Sequence, residues 1–396
     1  MRTLMPVLAS LLPLLALLMV GSGARRAAGA MPPTSSPRNE PSPVDLPAES
    51  AIRCPLDHKD AGEKKEGEIH SLAYSHDGKT LAAGNVSGFV KLFDPKTGRL
   101  ITSFRTLRPF QGRCGALAFA PDGRALAAEI DLDRIALFDP ATGATLRVME
   151  PPPFQRAIGV KAITFSPDGK SLAVGYGRGE VILWEVASGR RLHLLPPHII
   201  PAHTNGPFKN PVLAQPAGIY ALAFSPDGAT LYTSGIVIRA WDFATGQERP
   251  RPEQAEGATF YSIAVSPDGA TLAASHGYQV PAPAERVRSI TLWDAATGRK
   301  RADLPTTELI SALAFLPGGR ALVALEGEKV LRLWDLATGH STAAVRFEHH
   351  FELPKLAVSP DGRQIAAGGQ ESNWIFGAIV PVEVDGQKLG PWKPKP

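Results

Sequence analysis

The chain has 396 residues, 38 of them Gly and 37 Pro, with 44% hydrophobic and 20% charged residues and a formal net charge of +4. So much Gly and Pro excludes a coiled coil or helical bundle, and the glycines lack collagen's three-residue period. The apolar fraction is ample for a core, about 150 residues per domain suggests two or three domains, and the basic excess raises the question of a nucleic-acid partner.

Residues 1–30 contain no acid. Arg2 precedes an apolar run from Leu4 to Val20, and small residues including Ala28-Gly29-Ala30 follow. A positive start, a short apolar middle and a small-residue exit read as a secretory signal peptide, placing the mature chain in the periplasm or outside the cell. Arg25 and Arg26 lie between the run and the cleavage site, so an uncleaved membrane anchor is the alternative. Against that anchor, the run has 17 residues broken by Pro6 and Pro13, at the short limit for a span. Cys54 follows no lipid-attachment tripeptide. Residues 31–50 are Pro/Ser-rich, lack apolar periodicity and read as a disordered tether. Loss of the leader leaves 39 basic against 38 acidic residues, a near-balance with little excess charge to offer a polyanion. Polyanion binding rests on neutralising several phosphates together, so no nucleic-acid partner is expected.

From residue 51 onward one unit recurs seven times. Its first mark is a hydrophobic strand ending in a turn: Ser75-His76-Asp77-Gly78, Ala120-Pro121-Asp122-Gly123, Ser166-Pro167-Asp168-Gly169, Ser225-Pro226-Asp227-Gly228, Ser266-Pro267-Asp268-Gly269, Leu316-Pro317-Gly318-Gly319 and Ser359-Pro360-Asp361-Gly362. Successive closing glycines are 45, 46, 59, 41, 50 and 43 residues apart. A second mark follows in the first six units, as in Leu92-Phe93-Asp94 to Thr97-Gly98, Leu183-Trp184-Glu185 to Ser188-Gly189 and Leu333-Trp334-Asp335 to Thr338-Gly339. In the first turn Ser suits position i, Pro pre-sets φ at i+1 and Gly suits i+3. Both marks close hairpins, and apolar runs of four to seven residues between them read as short antiparallel strands. Each unit supplies about four strands that only its neighbours can cover.

This pattern of Ser-Pro-Asp-Gly followed by Leu-Trp-Asp-x-x-Thr-Gly resembles the WD-repeat β-propeller family in its common bacterial form, over residues 51–390. The resemblance implies an all-β, seven-bladed propeller of four-stranded antiparallel blades, with 391–396 a flexible tail. Two departures stand out. The Gly-His dipeptide often found before the innermost strand is missing, so the buried His–Trp network it supports is expected to be absent. The seventh unit lacks the signature, with Gly377 near the Trp position. Ring closure then calls for a strand from one terminus: Ala51–Leu56 is favoured as the outer strand of blade seven, with Gln387–Trp392 as the runner-up. Pro196-Pro197, Pro250 and Pro252 fall where outer strands are expected, the edge positions that tolerate proline.

Reaction signatures are absent. Gly169-Lys170-Ser171 and Gly78-Lys79-Thr80 end like phosphate-binding loops, but Thr164 and Ala73 stand where the first glycine belongs. Gly175-Tyr176-Gly177-Arg178-Gly179 opens no helix. No serine-hydrolase, zinc-protease, redox or haem motif occurs. Cys54 and Cys114 fall on an outer strand of blade seven and at an inner strand of blade two, too far apart for a disulfide, so free thiols are expected. His193, His198 and His203, and the adjacent His349-His350, match no compact metal motif. No catalytic residue, metal or cofactor is assigned.

The remaining candidate is the face where loops join one blade's outer strand to the next inner strand, since loops on a rigid scaffold carry function. It holds Phe110, Arg113, Phe154, Arg156, Phe208, His349 and Phe351. The repeated Phe-Gln-(Gly)-Arg pairs two residue types rich in binding hot spots, although Phe110 and Phe154 would equally serve as seam caps between blades. The long spacings put insertions at Pro196–Gly218 and His276–Arg288. The expected function is an exported, non-enzymatic, monomeric scaffold for an unknown protein or peptide. The alternative is a propeller enzyme or small-ligand binder, lactonase-like or quinoprotein-dehydrogenase-like, with a site at the channel. A membrane enters only if the leader is uncleaved.

Overall fold

Each repeat folds into one antiparallel sheet because its apolar runs face two neighbours at once. In the computed structural model, residues 41–46, 52–53 and 69–391 are described, apart from 86–87, 107–113, 131–132, 152–158, 201–202, 206–209, 213–214, 255–258, 277–287, 328, 348–350, 372–376 and 387. Met1–Asn39 forms a separate unit outside that range, and the propeller belongs to Glu40–Pro396. Blade three shows the plan, with strands Val160–Phe165, Ser171–Tyr176, Val181–Glu185 and Arg191–Leu195 in sequential antiparallel order. Blades one, two, four, five and six repeat it from Ile69, Leu117, Ala221, Phe260 and Ile310. First strands of successive blades touch in order, and Phe351–Val358 of blade seven touches Ile69–Tyr74 of blade one. That contact closes the ring of seven.

The core is divided among the blade interfaces. Side chains alternate along a strand, so Leu172 and Val174 pack toward blade two while Ala173 packs toward blade four. Both faces are buried, which is why the strands read as continuous apolar runs. Trp184, Trp241, Trp293 and Trp334 each enter the interface with the preceding blade, and Phe93 and Phe138 do the same in blades one and two. The motif aromatic is therefore an inter-blade wedge.

Both turn types behave as their residues dictate. Gly169 and Gly189 take φ of 70° and 72°, which favours glycine. In blade three, Ser166 Oγ donates to Asp168 Oδ1 at 2.6 Å and accepts from Ser171 N at 3.0 Å, locking the turn from inside. The outer strands carry a β-bulge opposite the motif aromatic in blades one, two, three, five and six, three residues beyond the motif glycine. That extra residue is Arg301 in blade five, where its guanidinium returns to Asp294 at 2.5 Å. In blades one and two it is Ile101 and Leu146, more than half exposed.

The prolines differ from expectation. Arg191–Leu195 ends before Pro196, and the outer strand of blade four is only Glu248–Arg249 before Pro250. These prolines terminate outer strands rather than sit within them, because they supply no N–H to the ladder.

The seam also differs. Gly377–Asp385 in blade seven pairs with Ile52–Arg53 at one end and Lys388–Pro391 at the other, so both termini share one outer position. Val44–Leu46, inside the segment read as a tether, pairs parallel with His340–Phe347 as a fifth strand of blade six.

Candidate functional site

The first strand of each blade runs from the loop face to its Ser-Pro-Asp-Gly turn, so the residues opening these strands surround the loop-face end of the channel. Five positions before each turn serine, or its equivalent, stand His70, Gly115, Lys161, Tyr220, Tyr261, Ser311 and Pro354. Tyr220 and Tyr261, on adjacent blades, pack edge to face with ring centroids 5.1 Å apart.

The first insertion is a built element. Ile199–Ile200 pairs with Gln215–Pro216, and His203–Asn205 pairs with Asn210–Val212, so the described strands of this insertion form a two-stranded arm rooted between blades three and four. Its root is fixed from several directions. His198 N donates to Gly179 O at 3.1 Å, Ala217 N donates to His198 O at 2.8 Å, and Ile219 N donates to Tyr176 O at 3.1 Å. A side chain at Gly179 would collide with the Ala217 carbonyl oxygen, so this close approach requires glycine.

Beneath the arm lies the polar network expected to be absent. Trp241 Nε1 donates to Thr233 Oγ1 at 3.1 Å, and His198 Nε2 lies 2.9 Å from the same oxygen. No Gly-His dipeptide marks it, because this histidine stands in Pro197-His198 at the root of the long insertion. Burial, with Arg239 nearby, pushes His198 down to about 3 and keeps it neutral. Arg239 stacks on Trp241 with its guanidinium carbon 4.2 Å from the ring centroid, donates to Pro196 O and Pro197 O, and pairs with Glu248. Burial opposes ionisation of Glu248, yet hydrogen bonds from Arg239 and Arg251 hold it at about 2.

Other polar groups at this face clamp the loops. Glu129 accepts from Gly115 N at 2.9 Å and Val160 N at 3.2 Å, joining the starts of blades two and three. Glu326 accepts from Thr307 N at 2.6 Å, Glu308 N at 3.2 Å and Arg332 Nε at 2.9 Å. In blade five Thr291 donates to Asp303 Oδ1 at 2.7 Å, so its oxygen accepts from His276 Nε2 at 2.8 Å. Burial lowers the His276 pKa. These groups hold structure together. Among the described residues no three of His, Cys, Asp and Glu gather as metal ligands. Cys114 is a buried free thiol whose pKa is raised by burial and then by Glu129, whereas Cys54 lies outside the described residues.

Of the residues named from sequence, Phe110, Arg113, Phe154, Arg156, Phe208 and His349 lie outside the described residues. Phe351 opens the first strand of blade seven opposite Glu371. The tyrosine pair was missed, although Tyr220 and Tyr261 occupy one register relative to Ser225 and Ser266. Aligning the repeats on their turns would have found it. A family model described as the anaphase-promoting complex subunit 4 WD40 domain matches residues 57–111, a stretch that takes in all of blade one.

Proposed function

The chain belongs to the WD-repeat β-propeller family, and from that premise we propose that it is an exported, non-enzymatic scaffold binding a protein or peptide through its loop face. The observation that carries this reading is the use made of the acids and histidines at that face. Glu129, Glu326, His198 and His276 are bonded to loop backbone or neighbouring side chains. Such clamps hold loops in fixed positions, as a recognition surface requires, and leave these groups poorly placed as general acids or bases.

Export rests on the leader-like segment Met1–Ala30, and recognition rests on loop residues Phe110, Arg113, Phe154, Arg156, Phe208, His349 and Phe351. The test is capture of a partner by the tagged protein from its native extract. Alanine at Phe110, Arg113, Phe154 and Arg156 together should abolish capture while leaving the melting temperature unchanged. Full retention of capture overturns the assignment. Metal analysis of the purified protein tests the enzymatic alternative, since a stoichiometric ion would favour catalysis. The mass of the mature chain decides between cleavage and anchoring.

A further inference from the structure

Blade six displays what its outer edge accepts. Val44–Leu46 lies along His340–Phe347 in parallel register, with Val44 beside Val345, Asp45 beside Arg346 and Leu46 beside Phe347. Val345 and Phe347 are buried in the apolar cluster between blades six and seven, whereas Arg346 is exposed. An apolar-acidic-apolar segment thus runs along an apolar-basic-apolar edge. Opposite charges at one paired position, with apolar pairs on either side, are side-chain matches of the kind that stabilise neighbouring strands.

The occupant covers little of that edge. Its strand has 3 residues against the 8 of His340–Phe347, and among the described residues no strand pairs with the outer side of His340–Ala344. The sequence explains the shortfall. Continued backwards, the same register sets Pro43 beside Ala344 and Pro41 beside Thr342, and neither proline has an N–H to give the ladder. Val44 stays 58% exposed, so its apolar surface adds little to holding the strand. A short edge strand with few bonds and little burial opens readily, and the uncovered backbone beside it is a template for a longer strand.

We infer that the outer edge of blade six is a strand-addition site for an extended, proline-free segment of a partner protein with an acidic residue between two apolar ones, and that Val44–Leu46 is the occupant this segment displaces. The site lies on the rim of the ring, goes beyond the loop-face reading and does not depend on it. Main-chain hydrogen bonds along Thr342–Ala344, which its prolines deny to the resident strand, give the incoming segment its advantage. Those bonds offset the benefit that the resident strand draws from covalent attachment. The match to Val345, Arg346 and Phe347 sets the register and the preference for an acid.

The test is calorimetric titration of the intact protein with the end-capped hexapeptide Thr-Val-Thr-Val-Asp-Leu, which keeps the resident Val-Asp-Leu and replaces the residues before it. Saturable binding is expected, and it should be tighter in Asp45→Lys, where like charges meet in the resident strand. The same peptide with Lys in place of Asp should bind at least about fivefold more weakly, the effect of turning an opposite-charge pair into a like-charge pair. Arg346→Glu should reverse that preference, an outcome that misfolding cannot imitate. Pro-Ser-Pro-Val-Asp-Leu, the resident sequence itself, should bind more weakly than the proline-free peptide. Absence of saturable binding to both the parent and Asp45→Lys, a charge preference unchanged by Arg346→Glu, or equal affinity for the two Val-Asp-Leu peptides overturns the inference. Alanine at Phe110, Arg113, Phe154 and Arg156 together should leave hexapeptide binding as in the parent. Loss of binding in that variant would put the peptide on the loop face and overturn the rim site, while loss of partner capture alone leaves both readings standing.

Discussion

Gly78 in the turn of blade one faces Pro360 in the turn of blade seven, where a Cβ on the glycine would stand 3.5 Å from the proline Cδ. The same relation links Gly169 to Pro121, Gly228 to Pro167, Gly269 to Pro226, Gly319 to Pro267 and Gly362 to Pro317. The hairpin motif is thus also an inter-blade contact. Gly123 alone among the turn glycines has no such neighbour, because His76 occupies the proline position in the preceding turn.

That vacancy predicts a stabilising substitution. His76→Pro should raise stability by about 0.5–1 kcal/mol, since the position already belongs to a turn that pre-set φ favours and the unfolded chain loses freedom. Urea unfolding measures it. A lower midpoint would show that blade one's turn differs from the other six.

Thr233 holds both His198 and Trp241 through one hydroxyl. Thr233→Val keeps the shape and removes that oxygen, leaving polar atoms of both partners without it in a dry interior. The expected loss is roughly 2–3 kcal/mol in chemical unfolding. Faster hydrogen exchange at Ala217 N, which bonds His198 O, should accompany it, because the arm's root depends on the same histidine. Unchanged exchange would separate the network from the arm.

Acid should destabilise the ring before its carboxylates titrate. His198 is 1% exposed, and burial holds its folded pKa at about 3, below the ordinary 6.5. Between these values the unfolded chain binds a proton that the folded chain refuses, so stability falls as pH drops through 6.5 and continues falling toward 3. At pH 5 the loss from this residue alone is about 2 kcal/mol. His276 shifts in the same direction and adds to it. Glu248, held at about 2, contributes its loss only below its ordinary 4.5. His198→Gln should therefore flatten the stability profile between pH 7 and 5, as measured by unfolding midpoints. A profile identical to the parent's would remove His198 from the account.

The seam predicts a shared dependence on the two ends of the described chain. Ile52–Arg53 and Lys388–Pro391 occupy different halves of one edge. Deleting residues 41–56 or 387–396 should each lower the Tm by at least roughly 3 °C, the shift that about 2 kcal/mol brings in a domain of this size. An unchanged Tm in the first deletion would make the N-terminal strands ornamental.

Period and turn chemistry were legible along the chain. Seven Ser-Pro-Asp-Gly-like turns, six aromatic-Asp motifs and apolar runs of strand length are local facts, and each unit's two buried faces leave a closed ring as the consistent solution. The second domain suggested by length dissolved into that ring. Tertiary structure decided what depends on contacts between distant residues. It built the His198–Thr233–Trp241 network without the expected dipeptide, because a 35-residue separation in sequence carries no local signal. It divided the seam between two termini, made an arm of the longest insertion, and set Tyr220 against Tyr261 across a blade boundary. Those pairings follow from ring closure, which brings together residues that no spacing along the chain can relate.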